Sequence, residues 1–131
     1  MDYIKSVNYQ LQVVSKHRVR YIDEPFTKFI NQLLNDQYTN IKTLEKIMKR
    51  KYQLTNKIPL WINDRCLLMC IQSYRLNDPF YINYFEVLYW EKNLQGVIVF
   101  FRDGYCVKLN SYTKFYGQIV KIDKILKDIS W

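Results

Sequence analysis

Glycine is scarce in this chain, with three in 131 residues, and so are proline and cysteine, with three each. Without clustered glycines there is neither a Walker loop nor a paired-glycine phosphate cradle. Histidine occurs once, as His17. A metal site or a histidine-based triad therefore lacks its parts. No carboxylates cluster for two-metal chemistry. Enzyme activity, metals and cofactors are not expected. Cys66, Cys70 and Cys106 are odd in number and have neither a metal spacing nor the look of a disulfide framework. Buried, reduced thiols in a cytoplasmic protein are the reading. There is no long apolar run, signal peptide or Pro/Ser-rich linker, so no membrane partner is expected, and no internal repeat.

What is present fits one domain over residues 1–131. Hydrophobic residues make up 49% and charged residues 24%, enough for a single sizeable core without wholesale disorder. The net charge is +8 and the pI about 9.4. Phosphate neutralisation releases condensed counterions, so such a charge suits a polyanionic partner, although it also serves solubility. It counts against a DNA-mimicking inhibitor, which needs the opposite sign. Aromatics are abundant at 17%, including 12 tyrosines. Their apolar faces and polar tips suit sheet surfaces, interfaces and base contacts alike.

Residue patterning predicts an α+β fold, a single antiparallel β-sheet packed with about three α-helices. Tyr3 to Val13 alternates apolar and polar residues as one half-buried strand, turned by Lys16-His17-Arg18 into a second short strand through Tyr21. A helix follows, with Pro25 at its first position and Phe26, Phe29, Ile30, Leu33 and Leu34 on one face. Asn35 and Asp36 end it. A second helix is predicted from Asn40 to Gln53, with Ile41, Leu44, Ile47, Met48 and Leu54 inward. Strands are predicted at Leu60–Ile62, Leu67–Gln72, Phe80–Trp90, Val97–Arg102 and Tyr105–Leu109, with a type I′ turn at Asp103-Gly104. A last helix runs from Thr113 to Asp128, its inner face Phe115, Ile119, Ile122, Leu126 and Ile129. Gly117 inside it suggests a close backbone contact.

The second helix carries the densest positive patch. From Lys42 to Lys57 there are six basic residues against Glu45 alone. Helical spacing puts Lys42, Lys46, Lys49 and Arg50 on the face away from the core. The helix pair reads either as a helix-turn-helix, whose second helix enters the major groove, or as a plain αα-hairpin on a sheet. The lysine face reads either as a phosphate footprint or as a solvated surface. Trp61, Tyr81, Tyr84, Phe85, Tyr89 and Trp90 could stack unpaired bases, but such a band is more often core on one face and dimer surface on the other. Apolar residues on both faces of Phe80–Trp90 predict a homodimer, because a sheet of this size normally keeps one face wet.

Four segments of the second half follow one another at informative spacings: Lys57-Ile58-Pro59-Leu60, Ser73-Tyr74-Arg75, Phe80-Tyr81-Ile82-Asn83 and Phe101-Arg102-Asp103-Gly104, with Gln118 before the closing helical stretch. In order and spacing they resemble the competence transcription factor (ComK) family. That family shows Lys-Pro-Pro-Ile, Phe-Pro-Thr-x-Ser-x-Arg, an aromatic Trp-Ile-Asn strand, Phe-x-Asn-Gly and a late Gln. The chain departs at Asn35-Asp36-Gln37 (Phe-Tyr-Gly in the family), at Ile58 (proline) and at Met69-Cys70-Ile71 (Phe-Pro-Thr). It stops at Trp131, before the family's long C-terminal extension, so the family's proteolytic-adaptor partnership is not expected.

The resemblance implies a transcription regulator that binds double-stranded DNA at paired A·T-rich boxes, largely through the minor groove, as dimers or higher assemblies. Ser73 and Arg75 fall on the family's Ser-x-Arg. An arginine there can enter a narrow A·T-rich minor groove and a serine can bind a phosphate or sugar oxygen. The plainer alternative is an exposed Arg75 paired with Asp78. The expected DNA-binding set is Lys42, Lys46, Lys49, Arg50, Lys57, Ser73 and Arg75. The rival function is that of a mobile-element or phage protein using the same domain to bind a protein and antagonise a host regulator or defence nuclease.

Overall fold

A computed structural model describes residues 1–128. Its first departure from the period-2 reading comes early. β1 (Tyr3–Val7) and β2 (Gln10–Ser15) pair antiparallel, with Tyr3 opposite Val14 and Val7 opposite Gln10. Asn8 and Tyr9, between them, have φ of 50° and 66°. Two left-handed residues make a type I′ hairpin, so the single expected strand is two. A two-residue turn reverses the parity, so Tyr3 and Val7 face the side opposite Leu11 and Val13 although the sequence alternation sets all four in one row. β3 (Arg18–Ile22) then pairs with β2 as an exposed edge.

α1 (Phe26–Leu34) buries Phe26, Phe29, Ile30 and Leu34, while Leu33 faces solvent. Pro25 caps it with extended backbone and is not its first helical residue. A 3-10 turn, Asn35–Gln37, carries the chain on to Tyr38, whose left-handed backbone closes it. α2 (Ile41–Tyr52) starts where the Asn40 side chain accepts from the Thr43 N–H, satisfying one orphan donor of its first turn. It buries Ile41, Leu44, Glu45, Met48 and Tyr52. Ile47, expected inside, is 51% exposed.

The expected strand Phe80–Trp90 is likewise divided. β6 (Phe80–Asn83) ends in a 3-10 turn at Tyr84–Glu86, and β7 (Val87–Lys92) continues in a different sheet. Asn83 makes the break. Its buried side chain accepts from the N–H groups of Leu67 and Phe85 and donates to the carbonyls of Met1 and Arg65. With β4 (Leu60–Asn63), β5 (Cys66–Gln72), β8 (Val97–Phe101) and β9 (Cys106–Leu109), the strands form two antiparallel sheets where one was expected. One is ordered β3-β2-β1-β6-β5-β4 and the other β7-β8-β9. The β8–β9 connection is not type I′. The Gly104 N–H donates to Phe101 O and the Phe101 N–H to Tyr105 O, and only Gly104 has positive φ, 97°. That is a type I turn closed by a glycine bulge.

Both faces of the large sheet are covered. Tyr81 shares a face with Ile4 and Val13 through the strand register, and its ring stacks on Phe26 of α1 at 4.6 Å. Tyr3, on the opposite face, stacks on Phe101 of the small sheet at 5.8 Å. α3 (Tyr112–Lys127) lies against β5 and sets Phe115 edge-on to Trp90 at 5.2 Å. It buries Phe115, Ile119, Ile122 and Ile125, with Leu126 half-buried. Ile129, expected on this face, lies outside the described residues. Gly117 is exposed, and nothing among the described residues lies within 4 Å of where its Cβ would stand. The expected close contact is therefore absent. The chain is an α+β domain. Among the described residues no helix is long and apolar enough to cross a membrane.

Candidate nucleic-acid interface

Lys42, Lys46, Lys49 and Arg50 are all exposed on α2. Glu45, the one acid of the helix, is turned inward and only 5% exposed. It is held there by Arg75, whose two terminal nitrogens donate to its carboxylate oxygens at 2.8 and 2.5 Å. The outward face of α2 thus carries positive charge alone. The partner of Arg75 is therefore Glu45, not Asp78. Hydrogen bonding to Glu45 raises the guanidinium pKa further, so Arg75 stays charged. Arg75 also covers the Tyr74 ring at 4.8 Å and keeps 55% of its side chain in solvent.

Ser73 is half-buried, and its hydroxyl accepts from the Arg75 N–H at 3.2 Å. The Leu76 N–H returns to Ser73 O and the Tyr74 N–H donates to the Tyr81 hydroxyl. The loop that presents Arg75 is thereby fixed at three points. Lys57 is set apart from the α2 face. Its ammonium turns to the Ile71 carbonyl at 3.4 Å. Lys51, another of the six bases, sits over the Tyr52 ring.

The segment around Lys57 is built by α3, a contribution that sequence reasoning missed. Gln53, Asn56 and Lys57 all have left-handed backbones, with φ of 53°, 52° and 40°. Lys121 collects the carbonyls of Thr55 and Asn56 at 3.0 and 2.6 Å, and burial lowers its pKa. Gln118 accepts from the Cys70 N–H and donates to Lys57 O, both at 2.8 Å. It thereby extends the β4–β5 ladder to the segment that precedes β4. Such buried backbone groups need partners, which gives the late Gln a structural reason.

α1 and α2 lie on the large sheet, so the pair is the αα-hairpin of the two readings. The aromatic band is not one surface. Tyr81 is buried, Trp61 and Tyr84 are edge-on to Phe85, Trp90 is edge-on to Phe115, and Tyr89 stacks on Phe100. The strand expected to be apolar on both faces is two strands in different sheets, of which β6 is covered within the chain and β7 is largely exposed. Leu88 and Tyr89 remain exposed. Of the thiols expected to be buried, Cys66 and Cys70 are, and Cys106 is exposed.

Two further groupings carried no local signal. Asp2 is buried beside Asp103, and Lys5, Lys108 and Lys114 surround one cleft. No family model, no curated protein and no solved structure matches the chain.

Proposed function

We propose that the protein binds double-stranded DNA as a transcription regulator and lays the outer face of α2 on the phosphate backbone. The observation that carries this reading is the burial of Glu45 against Arg75, which leaves Lys42, Lys46, Lys49 and Arg50 on a face with no acid. Neutralising phosphates with such a face releases counterions and yields affinity that falls steeply with salt. Ser73 and Arg75 flank it in the proposal, with Arg75 at the narrow minor groove of A·T-rich duplex, while Lys57 stands apart from the contact. Two copies on paired half-sites complete the reading, and the mass of the complex tests that step.

The test is a salt titration of duplex binding. Lys46→Ala/Lys49→Ala should weaken binding to all duplexes and flatten the logarithmic salt slope by about 2, roughly one unit per lost phosphate contact. Arg75→Ala should reduce the preference for A·T-rich over G·C-rich duplex more than it reduces general affinity. An unchanged salt slope in the double variant overturns the placement on α2.

A further inference from the structure

A second basic site lies elsewhere on the domain. Lys5, on β1, belongs to the sheet face that also carries Tyr3, and so to the side covered by the small sheet. α1 and its Phe26 lie on the other side. Lys108 at the end of β9 and Lys114 in the first turn of α3 join Lys5 around one cleft of about 370 Å³. Strand order makes this meeting. β1 sits beside β6 in the large sheet, and the small sheet delivers the end of β9 and the start of α3 to the same corner.

These lysines differ from those that serve the fold. Lys121 and Lys124 donate to the carbonyls of the Gln53–Lys57 segment. The ammonium groups of Lys5, Lys108 and Lys114 have neither an ion pair nor a hydrogen bond among the described residues. Lys5 sits over the Phe80 ring at 5.4 Å, a contact worth little at a wet site, and keeps its donors. Three ammonium groups around one depression repel one another, and Asp78 is the single acid in the lining. A compact dianion relieves that repulsion. Ser6, Gln72 and Asn110 add neutral polar groups, while Phe80, Ile71 and Leu109 supply the apolar part of the lining. The volume falls at the small end of ligand sites. A mostly polar, cationic lining with a smaller apolar part suits a small, strongly charged molecule with a modest organic part.

We infer that this cleft binds a phosphorylated small molecule of mononucleotide size, its phosphate monoester among Lys5, Lys108 and Lys114 and its organic part against Phe80. A monoester carries nearly two charges at neutral pH and a diester of the DNA backbone one, which separates the two sources of phosphate. Because the site shares no residue with the α2 face, it stands or falls apart from the DNA reading.

The experiment is a heteronuclear NMR titration of the whole chain with adenosine 5′-monophosphate, and in parallel with the 3′,5′-cyclic diester, adenosine and inorganic phosphate. The monophosphate should shift the amides of Ser6, Gln72, Asn110 and Lys114 saturably and leave those of Lys46 and Lys49 in place. The diester and inorganic phosphate should bind more weakly and adenosine not at all. Lys108→Ala should weaken the monophosphate by about tenfold, as loss of one charge-assisted contact does. Lys108 is exposed, and Lys114→Gln provides a second variant with the same expectation. Equal binding of adenosine, equal binding of the diester, or shifts spread over α2 would overturn the assignment.

Discussion

Asp2 and Asp103 offer the sharpest test of how the two sheets are held together. The backbone of Asp2 is tied into the large sheet, its N–H to Val14 O at 2.6 Å and its carbonyl to the Asn83 N–H at 2.7 Å. Asp103 sits in the β8–β9 turn of the small sheet, where its Oδ1 accepts from the Tyr105 N–H at 3.0 Å. The Oδ2 atoms of both residues are shut off from water, and no donor among the described residues reaches them. Two acceptors so placed need a proton between them. Burial, and then the hydrogen bond to Asp103, push the Asp2 carboxyl from 3.8 up to about 8. For Asp103 burial acts upward but is outweighed by hydrogen bonds from Asp2 and from the backbone, so its pKa falls. Glu86 reinforces the rise at Asp2 and the chain's amino group opposes it.

The sign follows from linkage. Asp2 has a folded pKa above its unfolded one, so its contribution is complete below about 3.8 and is lost as pH rises through about 8. Between those limits the folded state holds one proton more than the unfolded state. Stability then falls by at most about 1.4 kcal/mol per pH unit, or roughly 2–3 kcal/mol between about pH 5.5 and 7.5. That is a large share of the 5–15 kcal/mol typical of a domain, taking the usual range as about that. Asp103 titrates below this window and His17 is common to all variants. In Asp103→Asn an amide N–H replaces the shared proton as donor, so the Asp2 pKa falls part of the way back, burial still holding it up, and the slope over this window should become shallower. Urea unfolding at the two pH values reads the difference. A wild-type protein equally stable at both, or an Asp103→Asn variant that keeps the full slope, refutes the shared proton.

Gly117→Ala should raise stability by up to about 1 kcal/mol, since the site has open space and helical backbone; thermal unfolding that shows a loss would reveal a contact the structure lacks. Arg75→Ala strips two hydrogen bonds from the buried Glu45 carboxylate and should cost about 1–2 kcal/mol in denaturant unfolding, given that Arg75 itself is half in solvent. Adding Glu45→Gln to that variant should restore part of the loss, and no restoration would mean that the charge is not what matters. A thiol reagent should label Cys106 alone in the native protein, because Cys66 and Cys70 are buried and burial pushes the Cys66 thiol up to about 12. Mass spectrometry showing modification of Cys66 or Cys70 without unfolding would contradict their burial.

The helices were legible because their signal is local. Phe26, Phe29 and Ile30 repeat at a spacing that only a helix brings to one side, and Phe115, Ile119 and Ile122 do the same. The fold class and the cationic face of α2 follow from such short-range patterns. What needed the tertiary structure were decisions between distant segments. The turn at Asn8 and Tyr9 and the break after Asn83 leave the apolar pattern continuous, so only strand pairing reveals them. Gly117 looked like a packing constraint because glycine weakens a helix, yet space around it is set by neighbours no local pattern names. Lys42 and Lys57 seemed one patch by proximity in sequence, and the β4–β5 edge turned Lys57 away. Glu45 met Arg75, Asp2 met Asp103, and Lys5 met Lys108 and Lys114 for the same reason. Periodicity records which residues share a side of one element, whereas burial and charge pairing depend on which elements the sheet order sets side by side.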